Sequence, residues 1–315
     1  MFRMVDFRRA LTLLALGASA LGAQEPQPGV QVTGAWLQEP HPGALVTGAW
    51  LQQRLGEPGI LVLDIDSRRD VYDEGHIPGS HFVALTAIPL LGGAGFEPPP
   101  TESLEAALEA AGVSDDVHVV IASRSPLSAT RLWLTLDYLG HGGHASILDG
   151  GMARWKADGR PLAIDAPAVR RGSLTPRPRP QSIVSADWIA ARLDDPGVVL
   201  IDARAENEYT GADGGTGAQP KAGHIPGAGN LSWESLLVAR ETDPSLRPPD
   251  TLRARFQAVG ARPGRTLVAY CVIGTRASMV YFVARMLGYD VRLYEGSWHE
   301  WSGRDLPFVT GPARR

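Results

Sequence analysis

LVTGAWLQQRLGEPGILVLD, residues 45–64, returns as IVSADWIAARLDDPGVVLID, residues 183–202. Trp50 matches Trp188 and Asp64 matches Asp202, both 138 residues apart. Gly75-His-Ile-Pro-Gly79 then matches Gly223-His-Ile-Pro-Gly227 at a distance of 148, and the ten extra residues fall in a Gly-rich stretch, 211–220, that reads as a loop. Ser128–His141 matches Arg276–Tyr289, and Leu148-Asp-Gly-Gly-Met-Ala-Arg-Trp155 matches Tyr294-Glu-Gly-Ser-Trp-His-Glu-Trp301. Four blocks in one order mean two copies of one domain. The spacing assigns residues 45–165 to the first copy and 183–308 to the second, joined by a Pro- and Arg-rich extended linker, 166–182. Residues 24–44 form a lead-in and 309–315 a tail.

Each copy has the same grammar. Short β-branched runs read as buried strands: Ile60–Asp64, Val117–Ala122 and Ala145–Leu148, then Val198–Asp202, Thr266–Tyr270 and Val291–Tyr294. Between them lie helical patterns. Thr101–Ala111 carries apolar residues at helical spacing with Gly112 as a stop, Asp250 reads as the N-cap of a helix through Ala258, and Arg276–Leu287 has an apolar stripe. Strands alternating with helices predict an α/β fold in which each domain is a parallel sheet flanked by helices.

The chain has 315 residues, 44% hydrophobic and 20% charged, as in globular proteins. A single Cys excludes an internal disulfide, a Cys-rich zinc site and an iron–sulfur cluster. The formal charge of −4 gives no basic footprint for nucleic acid. Arg3, Arg8 and Arg9 precede an apolar run, Ala10–Ala18, and then small residues up to Ala23. That order predicts a signal peptide, residues 1–23, with Ala20 as the other cleavage candidate. The expected mature chain is exported, periplasmic or secreted, with no membrane association after the signal is removed. An unpaired Cys in that setting points to a reactive thiol.

The lone Cys271 ends the run Thr266–Tyr270 and opens Cys271-Val-Ile-Gly-Thr-Arg276, which leads into the next helix. In parallel α/β sheets ligands bind beyond the carboxyl ends of the strands. Loop amides of Val272, Ile273, Gly274, Thr275 and Arg276, with the start of a helix behind them, make an anion-binding cradle. Positive charge beside a thiol raises the thiolate fraction and favours a nucleophile.

In these blocks the sequence resembles the tandem-domain rhodaneses, the thiosulfate and 3-mercaptopyruvate sulfurtransferases. The resemblance spans residues 45–308 and is carried by both Gly-His-Ile-Pro-Gly blocks, Asp202-Ala-Arg204, the Cys271–Arg276 loop and the Glu295–Trp301 block. It implies two rhodanese-like domains and a ping-pong reaction: Cys271 takes a sulfur atom from a small-molecule donor as a persulfide, then hands it to cyanide or a thiol. The loop amides would cradle the persulfide, Arg204 and Arg276 would bind the donor, and no metal or organic cofactor is implied. Ser123 stands where Cys271 stands in the second copy, so the first domain is expected to be catalytically inactive. A cysteine-dependent phosphatase has five residues between its Cys and Arg. Here there are four, a ring that suits one sulfur atom.

Glu208, four residues beyond Arg204, is read as repelling a donor carboxylate, which favours thiosulfate over 3-mercaptopyruvate. A persulfide carrier that serves a protein acceptor with little turnover is the reading from a different class. A simpler reading of Arg204 pairs it with Glu206 or Glu208. His76 and His224 are read as holding their loops by hydrogen bonds. His141 and His144 have a spacing a metal could use, but Gly142-Gly143 between them reads as a turn.

Overall fold

A computed structural model describes residues 43–92, 97–213 and 220–314. The expected signal segment and nearly all of the lead-in lie outside the described residues. The first domain runs β1 (Leu45–Val46), α1 (Gly48–Gln52), β2 (Ile60–Asp66), α2 (Arg69–Asp73), β3 (His81–Ala84), α3 (Thr101–Ala110), β4 (His118–Ala122), α4 (Pro126–Tyr138), β5 (Ala145–Leu148) and α5 (Gly151–Ala157). The second runs β6 (Ile183–Val184), α6 (Ala186–Ala190), β7 (Val198–Asp202), α7 (Glu206–Thr210), β8 (Gly229–Asn230), a hairpin β9 (Leu237–Ala239) and β10 (Asp243–Leu246), α8 (Pro249–Ala258), β11 (Thr266–Tyr270), α9 (Ala277–Met286), β12 (Asp290–Tyr294) and α10 (Ser297–Gly303).

The main sheets have the orders β1-β5-β4-β2-β3 and β6-β12-β11-β7-β8, and every pairing within them is parallel. Alternate residues of the central strands enter opposite cores, as a sheet covered on both faces requires. Val119 and Ile121 of β4 join one apolar cluster, Val120 and Ala122 the other. Leu267 and Ala269 of β11 face one way, Val268 and Tyr270 the other. The register sets Asp64 opposite Ala122 and Asp202 opposite Tyr270, so each repeated Asp stands beside the last residue of the neighbouring strand, just where that strand's loop begins. Asp250 lies inside the first turn of α8 rather than capping it, because Pro249 takes the first helical position.

The helices that follow the two loops, α4 and α9, pack against each other across the domain boundary. Both are buried nearly all round, since each covers its own sheet and its counterpart. Trp133 meets Phe282 edge-on at 4.9 Å, and the Thr130 and Ser278 hydroxyls share a 2.8 Å hydrogen bond. At the far end of the contact, buried Asp137 accepts from Arg179 (2.8 Å), Arg285 (3.3 Å) and the Tyr281 hydroxyl (2.8 Å).

Each domain also sends a segment over the other's loop. Gly92, beyond β3, donates its N–H to Glu295 Oε1 at 2.7 Å. Leu246, at the end of the β9–β10 hairpin, donates to Asp149 Oδ1 at 3.0 Å. Glu295 and Asp149 hold the same place in the repeat, directly after the strand β12 or β5. The linker is strapped to the first domain: Gly172 N–H reaches Glu109 O, Thr175 N–H reaches Asp115, and Arg177 N–H reaches Leu139 O. Extended backbone has no partners of its own and finds them on the domain surface. The tail is docked as well, with Val309 bridged to His224 and Arg314 O accepting from Gly227 N–H.

Replacing Asp137 strands two arginines and a tyrosine hydroxyl at the interface. Asp137→Ala is expected to lower the unfolding free energy by about 3–5 kcal/mol, read as a reduced urea midpoint.

Candidate active site

Cys271 follows directly on β11 and is fully buried. Its C=O accepts from Trp298 N–H (3.0 Å), and its N–H donates to Ser297 Oγ (3.1 Å). Ser297 sits at φ +50° and passes its own hydroxyl proton to Tyr294 O (2.8 Å). In the first domain Gly151 holds the equivalent place at φ +53°, and Met152 N–H bonds Ser123 O. The turn therefore needs a left-handed residue in both copies, and only the second equips it with a hydroxyl for the Cys amide.

The loop is fixed at its edges. His299 N–H donates to Val272 O, and Ser278 N–H closes on Gly274 O. Gly274 adopts φ +87°, and a Cβ there would come within 2.9 Å of Gly92 Cα. A side chain is thus excluded on two counts, backbone conformation and the close approach of the other domain. Thr275 Oγ1 donates to Gly92 O at 2.7 Å, so Gly92 is held through both its N–H and its C=O. Among the described residues, none of the N–H groups of Val272, Ile273, Gly274, Thr275 or Arg276 donates to a protein acceptor. They lie between the thiol and the N-terminus of α9.

Arg276 donates through Nη1 and Nη2 to Glu208 at 2.5 and 2.8 Å. Burial works against its charge, but Glu208 and the Cys271 thiolate more than compensate and hold the guanidinium protonated. Arg204 was expected at the donor. Its guanidinium is buried and forked on Asp202 (2.6–3.1 Å), with Nη2 also on Gly223 O at 2.7 Å. It lies 4.8 Å from the centre of the Trp298 ring. Its carboxylate partner is thus neither Glu206 nor Glu208. The physical reason is that Asp202 is itself fully buried and needs a counter-charge. These bonds use Nε and Nη2, and Nη1 takes no part in them.

The first domain has rebuilt the same place around a serine. Ser123 Oγ turns inward to Ile65 O (2.6 Å). Position 66, equivalent to Arg204, is an Asp, and the guanidinium comes instead from Arg124 in the loop, which reaches Asp66, Val71 O and Gly75 O. Asp64 lies 3.8 Å from Arg124 with no hydrogen-bond partner on either oxygen. Burial pushes its carboxyl up to about 6 against the pull of Arg124. A cavity remains beside Ser123, lined by Leu246, Met279 and Phe282.

His76 and His224 lie stacked on Tyr72 and Tyr209, and each bonds the C=O of that tyrosine through Nδ1. Their rings brace the repeated loops. His141 and His144 lie 5.2 Å apart, and no group of three His, Cys, Asp or Glu suited to a metal occurs among the described residues.

The rhodanese-like domain family matches residues 47–158 and again 185–304. The chain belongs to the rhodanese family. A "Probable 3-mercaptopyruvate sulfurtransferase" of Pseudomonas aeruginosa is 36% identical over 276 residues, 83% of this chain and 93% of the relative. A thiosulfate sulfurtransferase of Azotobacter vinelandii is 33% identical over 261 residues, 81% of this chain and 92% of the relative. Among solved structures, the anaerobic ergothioneine biosynthesis enzyme of Chlorobium limicola superposes with a TM-score of 0.73 at 26% identity, covering 85% of this chain and 70% of that one. This rhodanese is a sulfurtransferase built from two rhodanese domains.

Sequence reasoning did not single out Ser297, Glu295 or Gly92. The first two carried a signal, since Gly151 and Asp149 stand at their places in the other copy. Gly92 carried none, because it acts on the opposite domain.

Two measurements test this geometry. Ser297→Gly suits the backbone, as Gly151 does, but removes the acceptor for Cys271 N–H. Sulfur-transfer kcat is expected to fall about tenfold with the fold retained, measured by thiocyanate release beside circular dichroism. Asp64 titrates higher when folded than unfolded, so its stabilising contribution is present below about pH 4 and lost as pH rises through about 6. Urea unfolding of Asp64→Asn against the wild type should move in the variant's favour by up to about 3 kcal/mol across that window.

Proposed function

We propose that this rhodanese moves sulfane sulfur from thiosulfate to a thiophilic acceptor through a persulfide on Cys271. The Cys271 thiolate attacks the outer sulfur of thiosulfate. The new S–S bond forms as the old one breaks, and its electron pair leaves with sulfite. The anionic persulfide, Cys–S–S⁻, is then attacked at its terminal sulfur by cyanide, giving thiocyanate and returning the thiolate; a small thiol or a protein thiol takes the same sulfur as a persulfide. Atoms and electrons balance without a cofactor.

The observation that carries this reading is the run of uncommitted N–H groups from Val272 to Arg276, directly after the sole thiol and before α9. Such donors stabilise negative charge on the terminal sulfur at the moment it develops. Val272 and Ile273 add no charge to the loop, and Arg276 is its one cation. Thiosulfate is a compact anion that amides and a single guanidinium can meet. The second reading, 3-mercaptopyruvate as donor, is favoured by the name of the 36% identical relative. The N-terminal segment supports a place of action outside the cytoplasm, periplasmic or secreted.

Purified mature protein given each donor with cyanide is expected to release thiocyanate with a higher kcat/KM for thiosulfate. A higher value for 3-mercaptopyruvate reverses the donor assignment. Cys271→Ser should lose turnover with both, and retained turnover contradicts the mechanism.

A further inference from the structure

The carboxylate on Arg276 belongs to the chain itself. Glu208 meets the guanidinium through both oxygens, the bidentate geometry that an external anion would adopt. Arg204 is matched by Asp202 in the same way. Arg276 and Arg204 thus each hold a carboxylate of the chain before any donor arrives.

Glu208 also has somewhere to go. Its Oε2 accepts from Ala205 N–H at 3.2 Å, the start of α7, so a carboxylate leaving Arg276 keeps a hydrogen-bond partner. Burial raises its pKa, but Arg276 outweighs that and holds it below the usual carboxylate range, so it is ionised at neutral pH. Both side chains of the pair are 24% exposed, open enough for exchange with an incoming anion.

We propose that Glu208 is the specificity-determining residue for donor charge: it occupies the active-site guanidinium as a tethered competitor, and a donor's anionic group must displace it. The inference rests on the reading of Cys271 as the sulfur carrier: the Glu208 charge weighs more on thiosulfate than on 3-mercaptopyruvate, and so narrows, without reversing, the preference that the uncharged loop sets. Coulomb energy scales with the donor's charge. Removing the Glu208 charge should therefore help dianionic thiosulfate about twice as much in free energy as monoanionic 3-mercaptopyruvate. Selectivity arises here by a repulsive element rather than an added contact.

Glu208→Gln tests this, because the amide keeps the size of the side chain and an acceptor for Ala205 N–H. Thiosulfate KM is expected to fall about tenfold and 3-mercaptopyruvate KM about threefold, with kcat for each within about twofold of the wild type. An unchanged or raised thiosulfate KM, or an equal shift for both donors, overturns the proposal. The two readings fail separately. If wild-type Cys271 gains no sulfur from either donor, the sulfur-carrier assignment falls; if it gains sulfur and the KM values do not move on substitution, only the role of Glu208 falls.

Discussion

The packing of α4 against α9 is the contact on which the rest of the molecule depends. Each of these helices starts where a strand-end loop finishes. Bringing them together carries both loops to the domain boundary, one with a thiol and one without. The Asp137 cluster closes one end of this contact and the Thr130–Ser278 hydrogen bond lies nearer the loops. With the helices set, the segment carrying Gly92 falls on the Cys271 loop and the β9–β10 hairpin falls on the Ser123 loop. Glu295 and Asp149 then latch the two covers in mirrored fashion.

The two copies show how one fold furnishes the same place in two ways. Both need a guanidinium near the repeated Asp and the Gly223 or Gly75 carbonyl. The second copy supplies it two residues after Asp202, leaving its loop free of charge until Arg276. The first supplies it from Arg124, inside the loop itself. That exchange fills the place with a structural cation. Ser123 completes the change by bonding inward to Ile65 O.

The repeat made the architecture readable, because apolar strands and the helices between them recur in order. The long central strands match the sequence expectation almost to the residue. The two-residue strands β1, β6 and β8 are too short to show any period, and among the described residues the β9–β10 hairpin has no counterpart in the first copy. At the site, Cys271 and its loop were visible from their place between strand and helix. The partners of the charged residues were not. Which carboxylate Arg204 or Arg276 takes is decided by burial: fully buried Asp202 needs the nearer cation, and Glu208 is left for Arg276. The contact of Gly92 with Gly274 is a property of docking two domains, and no local pattern encodes it.

The central claim is that sulfur rests covalently on Cys271 between donor and acceptor. Its most direct test is a single-turnover mass measurement on protein treated with thiosulfate and freed of excess donor. The account predicts one added sulfur on the peptide containing Cys271, lost on adding cyanide with release of one equivalent of thiocyanate. Protein that turns over while this peptide stays unmodified would contradict it.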